Sequence, residues 1–445
     1  MSKNVLKQGQ VKLVECSLTT IYGKRFSIMN QIDDFIFKED LDQHFISGSV
    51  SITEGFNLIE AFPITGDEML VLEYETPYRG TKDSDGDVDR RRLEFKVVEI
   101  RDISKPNDKL TSYNLIITSI EHTYAMVRGP ARAHRKKISD IVGDLLKLHI
   151  NSPKKLLVEE TDSVQHVIFP ALSVHESLRL LCKRARSIKH KDHDYRFFEN
   201  KNGLNFVSMG QLVSSDVKKD KPFVLEITYN LAANLPDQVV SNYTDAALQF
   251  SVVTKGNHNT TTYNGGFRAN QIAFDFMLKK YKTKEFNYNN EEDFQSLPLV
   301  APNRTVHKDY VEYVNSDIPE TYSFFTNLDR NNNSWAGNRD EHLSNHYDKT
   351  LLPRNASRQH LNNDLMLSIT IPGTNRVTAG DLIKFTVPDL NDQNVGRKDK
   401  YLTGLYLVKT VTQSLTQDKF ITTLIVTKNG FENKLTNVSF VESAS

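Results

Sequence analysis

The sequence predicts a predominantly β chain of the α+β class, with two small β-barrel domains, an α+β domain between them and an inserted segment. Three observations lead to this prediction. Most of the chain alternates polar turns with short runs rich in Thr, Val, Ile, Phe and Tyr, which favour strands. One stretch after residue 124 has the apolar spacing of helices. A segment near the amino end recurs near the carboxyl end.

Length, charge and cysteine content narrow the class of protein. A chain of 445 residues can form two to four domains with real cores. Its 56 basic and 56 acidic side chains cancel, which argues against a dedicated nucleic-acid or membrane-surface binder. Two cysteines cannot build a disulfide framework, so we expect synthesis in a cytosol. The sequence shows neither a signal peptide nor an apolar run long enough to span a bilayer.

The amino-terminal quarter has the pattern of a strand meander. Six strand-like segments are separated by turn residues, and Pro77 ends one of them because proline has no amide hydrogen to donate. We assign residues 1–122 to a first barrel. The predicted strands cover residues 11–20, 25–37, 45–52, 68–75, 93–103 and 110–120.

The next segment, residues 123–232, is predicted to be an α+β connector domain. Apolar residues between Ile138 and His149 recur at helical spacing. Ser173 and Glu176 have the spacing of a capping box at a second helix start. Asn202-Gly203 between two apolar runs predicts a β-hairpin.

Strand character returns at residues 247–254 and 270–288 and again from Leu365 onward. Residues 329–349 are polar and aperiodic, which is typical of a long loop. We therefore assign a second barrel to residues 238–290 and 360–435, interrupted by a loop-rich insertion at 291–359.

The strongest signal is an internal repeat. Thr65-Gly-Asp-Glu-Met-Leu-Val-Leu-Glu-Tyr-Glu-Thr-Pro matches Ala379-Gly-Asp-Leu-Ile-Lys-Phe-Thr-Val-Pro in its turn, its apolar strand and its closing proline. In both copies a charged linker, a strand, an Asp-Lys turn and a last strand follow. Gly66 and Gly380 permit a tight entry turn, and we expect the aspartate after each glycine to bond the backbone of that turn.

These segments resemble the baseplate hub, or tail hub, proteins of contractile-tailed bacteriophages and the related hub module of type VI secretion spike proteins. The likeness covers most of the chain, although residues 330–346 have no counterpart. It is carried by turn-and-strand motifs: Phe62-Pro-Ile-Thr-Gly-Asp-Glu, Arg196-Phe-Phe-Glu-Asn, Gly203-Leu-Asn-Phe, Ile371-Pro-Gly, Ala379-Gly-Asp-Leu-Ile, Pro388 and Lys400-Tyr-Leu-Thr-Gly-Leu-Tyr-Leu-Val.

The resemblance implies two tube-protein-like barrels and a structural, non-enzymatic virion protein in the phage tail baseplate, assembled in the bacterial host cytoplasm. Three chains would form a pseudo-sixfold ring that joins the sixfold tail tube to the threefold central spike and nucleates tube assembly. The implied partners are the chain itself as a homotrimer, the spike protein, the tail tube protein and other baseplate proteins. No cofactor, sequence-specific nucleic acid or membrane anchor is expected.

Two charged loops, one after each copy of the repeated strand, are candidates for contacts between stacked rings. Each loop lies between strands and carries both signs of charge. The candidate contact residues are Tyr78, Arg79, Asp83, Asp85, Asp87, Arg90, Asp389, Asp392, Arg397 and Lys398.

Three segments carry residue types that could bind a metal ion. Residues 83–94 imitate an EF-hand loop, but Val88 stands where the loop needs glycine. His342 and His346 lack the glutamate of the zinc-protease motif, since Leu343 occupies its position. His190 and His193 lie in a charged stretch that we interpret as a solvated connector. We therefore expect no metal.

No motif for nucleophilic or nucleotide-dependent catalysis is present, and Cys182 falls on the apolar face of its predicted helix. Two alternatives to the hub remain open. One is a tail-associated cell-wall-degrading enzyme of lysozyme or peptidase type. The other is a carbohydrate-binding β protein.

Overall fold

The computed structural model describes residues 9–56, 58–61, 64–77, 88–107, 109–129, 131–162, 164–214, 223–229, 246–275, 279–315, 323–327, 347–388, 398–416 and 419–434. Strands dominate this part of the chain, so the predicted predominantly β, α+β class is confirmed. Within the described ranges, the helices do not combine the length and apolar character that a bilayer crossing requires.

The strands are β1 (Lys12–Thr19), β2 (Arg25–Ser27), β3 (Ile32–Asp40), β4 (Ser47–Glu54), β5 (Met69–Pro77), β6 (Val88–Asn107), β7 (Leu110–Ser119), β8 (Arg132–Lys137), β9 (Leu156–Val158), β10 (Val164–Phe169), β11 (Tyr195–Asn200), β12 (Gly203–Ser208), β13 (Leu225–Tyr229), β14 (Ala246–Ala247), β15 (Gln249–Lys255), β16 (Arg268–Asp275), β17 (Lys280–Asn287), β18 (Asn303–Arg304), β19 (Ser323–Asn327), β20 (Leu365–Pro372), β21 (Leu382–Thr386), β22 (Gly404–Leu415), β23 (Phe420–Lys428) and β24 (Gly430–Phe431).

The helices are α1 (Leu58–Ala61), α2 (Ile120–Met126), α3 (Ile138–Leu145), α4 (Val174–Arg184), α5 (Met209–Val213), α6 (His258–Tyr263), α7 (Glu291–Gln295), α8 (Lys308–Asn315) and α9 (Tyr347–Asn363), and a π-helical turn (Leu146–Ile150) follows α3 directly.

One 14-stranded sheet forms the frame of the molecule, and its two halves repeat one pairing order. The first half runs β5–β6–β7–β4–β3, and the second runs β21–β22–β23–β20–β15. Every neighbouring pair in both series is antiparallel. The five strands also follow the same order along the chain in each half. The repeat seen in the sequence is therefore a repeat of topology.

Each half of the sheet has its own apolar core. Phe35, Phe37 and Phe95 pack together in the first core, with ring centroids 5.9–6.2 Å apart. Phe385 and Tyr406 belong to the second. Burying one such aromatic side chain contributes about 1.5–3 kcal/mol, so each core is a substantial source of stability.

The connector packs α2, α3, the π-helical turn and α4 against two small sheets, β8–β10 and β9–β12–β11. Its local predictions are confirmed. Ser173 accepts a hydrogen bond from the Glu176 amide while the Glu176 side chain bonds the Ser173 amide, which completes the capping box of α4. The Asn202-Gly203 turn closes the β11–β12 hairpin.

The segment between β15 and β20 forms a separate unit. There β16 pairs with β17 and β19 and, among the described residues, not with the large sheet. β16 and β17 share a core with α7, α8 and α9. The sequence had assigned residues 270–288 to the second barrel. That assignment is wrong for β16 and β17, because an alternating strand pattern does not specify its partner strand. The predicted loop at 329–349 lies almost entirely outside the described residues.

Candidate interaction surfaces at the sheet edges

The turn that enters each repeated strand is built in the same way. Before β5, the Glu68 carboxylate accepts hydrogen bonds from the amides of Thr65, Gly66 and Asp67 at 2.7, 2.9 and 3.0 Å. Before β21, the Asp381 carboxylate accepts from the Thr378 amide at 2.9 Å and from its hydroxyl at 3.2 Å. In both turns an acid three residues after a threonine satisfies backbone donors that the turn leaves open.

The two glycines have the expected positive φ, 89° at Gly66 and 94° at Gly380. The prediction for Asp381 is confirmed, but the one for Asp67 is wrong. The Asp67 side chain is 65% exposed and pairs with Lys96 at 2.5 Å. The turn needs its acid in the position directly before the strand. Glu68 occupies that position in the first copy, where the sequence alignment had placed Asp67.

The two halves can be aligned in register at Val97 in β6 and Val408 in β22. The Val97 amide donates to the Glu68 carbonyl at 2.8 Å, and the Val408 amide donates to the Asp381 carbonyl at 2.8 Å. A β-bulge follows each valine, at Val98 and at Lys409. By this register, residues 99–101 of β6 correspond to residues 410–412 of β22. A second bulge follows Arg101, so Ser104 is the residue that corresponds to Ser414.

The halves are joined by strand pairing. Residues 410–415 of β22 pair antiparallel with residues 35–40 of β3, from Thr410 opposite Asp40 to Leu415 opposite Phe35. Most side chains of both segments are buried, including Val411, Leu415, Phe35 and Phe37. This ladder makes two five-stranded halves into one sheet.

The counterparts of these two segments are exposed. Residues 99–104 of β6 lie beyond the part of β6 that pairs with β5, and the exposed fraction of Ile103 is 58%. β15 takes the place of β3 in the second half, and its recorded partner within the described chain is β20 alone. Val252 and Val253 of β15 are exposed to 44% and 52%. Within the described residues, one ladder therefore joins the two halves, while the two strand segments equivalent to its members have no strand partner on that side.

The two loops predicted to contact a neighbouring ring lie mostly outside the described residues. This applies to Tyr78, Arg79, Asp83, Asp85, Asp87, Asp389, Asp392 and Arg397. Of the two that are described, Arg90 forms ion pairs with Glu73 and Glu75 within the β5–β6 arm. Lys398 lies at an isolated bridge with Pro388. These contacts hold the bases of the loops, and the predicted role of the loops stays a prediction.

The metal candidates are only partly described. Residues 83–87 of the candidate loop, and both His342 and His346, fall outside the described residues, whereas residues 88–94 lie in β6. His190 bonds Gln211 at 2.9 Å. In the part of the chain that the structure covers, acidic, histidine and cysteine side chains do not group in a way that would hold a metal ion.

The interpretation of residues 190–194 as a solvated connector is wrong at its carboxyl end, because Asp192, His193 and Asp194 are buried. Asp192 accepts from the Gly210 amide at the start of α5 at 2.7 Å. Burial, followed by the charge of Asp194, raises the pKa of Asp192 to about 6. Charge in this stretch serves internal contacts.

Asp194 connects the connector to the long helix α9. Its carboxylate accepts from Arg196 at 3.0 Å and from Arg358 at 2.9 Å, and Arg354 lies 3.9 Å away. Arg196 also pairs with Asp42 in the turn after β3. Sequence reasoning missed this network because it joins parts of the chain that are more than 150 positions apart, as Asp42 is from Arg196 and Asp194 is from Arg358.

Both cysteines are buried. Burial raises the pKa of the Cys16 thiol to about 12 and that of the Cys182 thiol to about 11. Such thiols stay protonated and unreactive at neutral pH. The prediction that Cys182 lies on a buried face of its helix is confirmed.

No family model matches the chain, and no curated protein matches its sequence significantly. Two solved structures are similar over nearly their full lengths. The tail protein from Neisseria meningitidis MC58 covers 95% of this chain and is itself covered to 99%, with a TM-score of 0.53 and 11% identity. The 43 kDa tail protein of prophage MuSo2 from Shewanella oneidensis covers 94% and is covered to 98%, with a TM-score of 0.50 and 10% identity. The chain has the fold of these phage tail proteins.

Proposed function

We propose that the chain is a structural hub subunit of a phage tail baseplate or a related contractile injection machine, and that it works as a homotrimer. In this proposal the two sheet halves are tube-like barrels, the first within residues 1–122. Six such barrels, two from each chain, form a pseudo-sixfold ring. The ring joins a sixfold tail tube on one side to a threefold spike on the other.

The observation that carries the proposal is the pair of strand segments, in β6 and β15, that have no strand partner on that side within the described residues and would form a second ladder. A strand with a free edge and exposed apolar side chains needs a cover, and pairing with another chain provides one. The β22–β3 ladder supplies the geometry, since it already joins one half to the other in register. Residues 99–104 of β6 on one chain would pair with β15 of the next in the same way. If the same strand pairing links the halves within each chain and between neighbouring chains, three chains close into a ring in which every half is paired.

The register of the second ladder can be derived residue by residue. In the first half, Ile36 lies opposite Ser49, which lies opposite Ile116. In the second half, Ser251 lies opposite Ser368, which lies opposite Ile425. Since Ile36 pairs with Ser414 across the existing join and Ser104 corresponds to Ser414, Ser251 is expected opposite Ser104 of a neighbouring chain.

A cysteine pair tests this register. A variant carrying Ser104→Cys and Ser251→Cys should form disulfides between chains, because directly opposed strand residues have Cα atoms about 4.5–5.5 Å apart, within the range for a disulfide. Cys16 and Cys182 are buried and should not compete. The expected product is a covalent trimer on a non-reducing gel, with dimer as the intermediate.

The matched control keeps the first cysteine and carries Tyr263→Cys in place of Ser251→Cys. The Tyr263 side chain is 77% exposed but lies outside the proposed ladder. This variant should stay monomeric on the gel. Equal cross-linking of both variants would show random collision, and no cross-linking of the Ser104–Ser251 pair would contradict the proposed ring.

The proposal assigns a mechanical role and no reaction. The obligate interfaces of such a hub are large and apolar and need no small-molecule cofactor. The proposed partners are a spike protein, the tail tube protein and other baseplate proteins, with assembly in the host cytoplasm. A peptidoglycan-clearing assay with the purified chain should give no clearing, whereas clearing would favour the cell-wall-degrading alternative.

A further inference from the structure

A cavity of about 580 Å³ opens where four parts of the chain meet. Its walls are mainly the turn after β3, the helix α4, the strand β11 and the helix α9, and Thr118 of β7 and His122 of α2 also contribute to the lining. The cavity thus touches the first sheet half, the connector and the helix that leads into the second half. Its lining contains no residue of β6 or β15, so the cavity is separate from the exposed segments of those strands.

Basic side chains outnumber acidic ones in its wall. The acidic lining residue is Asp42, and it already pairs with Arg196 and with Lys409, the latter at 3.1 Å. Asp194 beneath the wall is shared between three arginines. The basic lining residues are Arg179, Lys183, Arg196, Arg354 and Arg358.

Three hydrogen-bonding atoms in the wall also have no hydrogen-bond partner among the described residues. These are the buried Nδ1 atoms of His44 and His175 and the buried Nε of Arg354. The rings of His44 and His175 are 4.4 Å apart, and His122 lies 6.1 Å from His175. A polar atom that is buried without a partner is costly, so such a group in a cavity wall indicates a missing ligand atom.

We propose that this cavity binds a small oxyanion, a phosphate or carboxylate group, between Arg179 of α4, Arg354 of α9 and the His44–His175 pair. An oxyanion offers several acceptors to guanidinium and imidazole donors, and charge-assisted bonds of this kind are short and strong. Bound there, it connects the turn after β3 to α4 and α9. Its binding would therefore stiffen the junction between the two halves of the molecule.

The electrostatics of the free cavity agree with this site. Burial and then the charge of Arg179 lower the pKa of Lys183. Burial and then His175, Arg179 and His122 lower the pKa of His44 to about 3. Basic side chains surround both Lys183 and His44, and a bound anion would offset the repulsion between their positive charges. We therefore expect binding to tighten as the pH falls from 7.5 toward 5.5, where bound oxyanion would help the histidines take up protons.

The test is isothermal titration of the full chain with inorganic phosphate and, in a second arm, with citrate, both at constant ionic strength in chloride. Saturable binding of either anion is expected, and the stronger arm identifies the source of the oxyanion. Arg179→Gln should weaken the binding of the anion about tenfold or more, because it removes one charge-assisted contact. Arg179 is exposed outside the core, so this variant should unfold at the same temperature as the parent without ligand.

The matched control is Arg135→Gln, which removes an exposed arginine from β8 of the same connector, away from the cavity. It should bind like the parent. Two results would overturn the site: no saturable binding in either arm, or binding that Arg179→Gln and Arg135→Gln weaken equally, which would show diffuse charge attraction.

Discussion

The backbone amides of Val97 and Val408 make the same hydrogen bond in the two halves of the sheet. Each donates at 2.8 Å to the carbonyl of the acidic residue that precedes the neighbouring strand, Glu68 or Asp381. These valines lie in β6 and β22, two equivalent strands of which the second is the more buried. The proposed ring depends on this equivalence, because it makes residues 99–104 of β6 the counterpart of residues 410–414 of β22, which pair with β3.

Replacing Glu68 tests the turn that sets this register. Glu68→Ala removes the acceptor of three backbone amides in a fully buried setting, so we expect a loss of about 2–3 kcal/mol in the free energy of unfolding. The control is Asp67→Ala, one residue away. Its exposed pair with Lys96 should cost at most about 1 kcal/mol. Urea unfolding of the two variants measures the difference, and equal losses would contradict the role given to Glu68.

The buried carboxylate of Asp194 should be a second point of high sensitivity. Asp194→Asn leaves Arg196, Arg354 and Arg358 around a neutral group, and breaking such a buried pair costs about 3–5 kcal/mol. Asp162→Asn is the control, because the carboxylate of Asp162 is 40% exposed and pairs with Arg186 at 3.5 Å. A loss below about 1 kcal/mol at Asp194 would show that the network does not hold α9 in place.

The same carboxylate gives a pH dependence with a defined sign. Burial alone would raise the pKa of Asp194, but Arg196, Arg358 and Arg354 hold it below its usual range. Its stabilising effect is thus complete above the unfolded pKa of about 3.9 and is lost as the pH falls below it. The Asp194→Asn variant should lack this acid-dependent part when unfolding is followed between pH 5 and pH 2.5.

The buried His44 should lower the free energy of unfolding at a milder acidity than Asp194 does. Its pKa falls from 6.5 to about 3 because burial and surrounding cations oppose its protonation. Below pH 6.5 the unfolded chain takes up a proton that the folded chain refuses, so stability falls by up to about 1.4 kcal/mol per pH unit. The titratable and charged groups that face the cavity with His44 are Asp42, His122, His175, Arg179, Cys182, Lys183, Tyr195, Arg196, Arg354 and Arg358.

His44→Gln should flatten this slope between pH 6.5 and pH 4.5. Calorimetric unfolding in buffers free of phosphate and carboxylate measures it, since an oxyanion in the cavity would offset the effect. His149→Gln is the control because its ring lies outside this group of histidines. The same slope in parent and His44→Gln would mean that His44 titrates freely and is not enclosed by cations.

Local features were predictable from the sequence wherever neighbouring residues determine them. The capping box at Ser173 and the hairpin at Gly203 follow from contacts within a few positions, and both are confirmed. The repeated turn was recognised, but its acid was placed one residue early, because Gly-Asp occurs in both copies while the bonding acid is Glu68 in the first. Strand existence was clear for β16 and β17, whereas their partner strand was not.

Long-range features could not be predicted. The β22–β3 ladder pairs Ser414 with Ile36, residues that no local pattern connects. The cavity has the same origin, since His44, His175 and Arg354 come from distant parts of the chain and meet only in the fold. The resemblance to hub proteins identified the fold of the whole, but the edges left open by one chain are visible only in the structure.

The most direct measurement for the proposed ring is the native mass of the purified chain by light scattering, alone and with its spike. Three 50.9 kDa chains should give about 153 kDa, and Ile103→Asp should reduce this to a monomer by placing a charge in the second ladder. Ile168→Asp, at an isoleucine 68% exposed on β10, should leave the trimer intact. A monomer under both conditions, or a trimer that survives Ile103→Asp, would contradict the proposed ring.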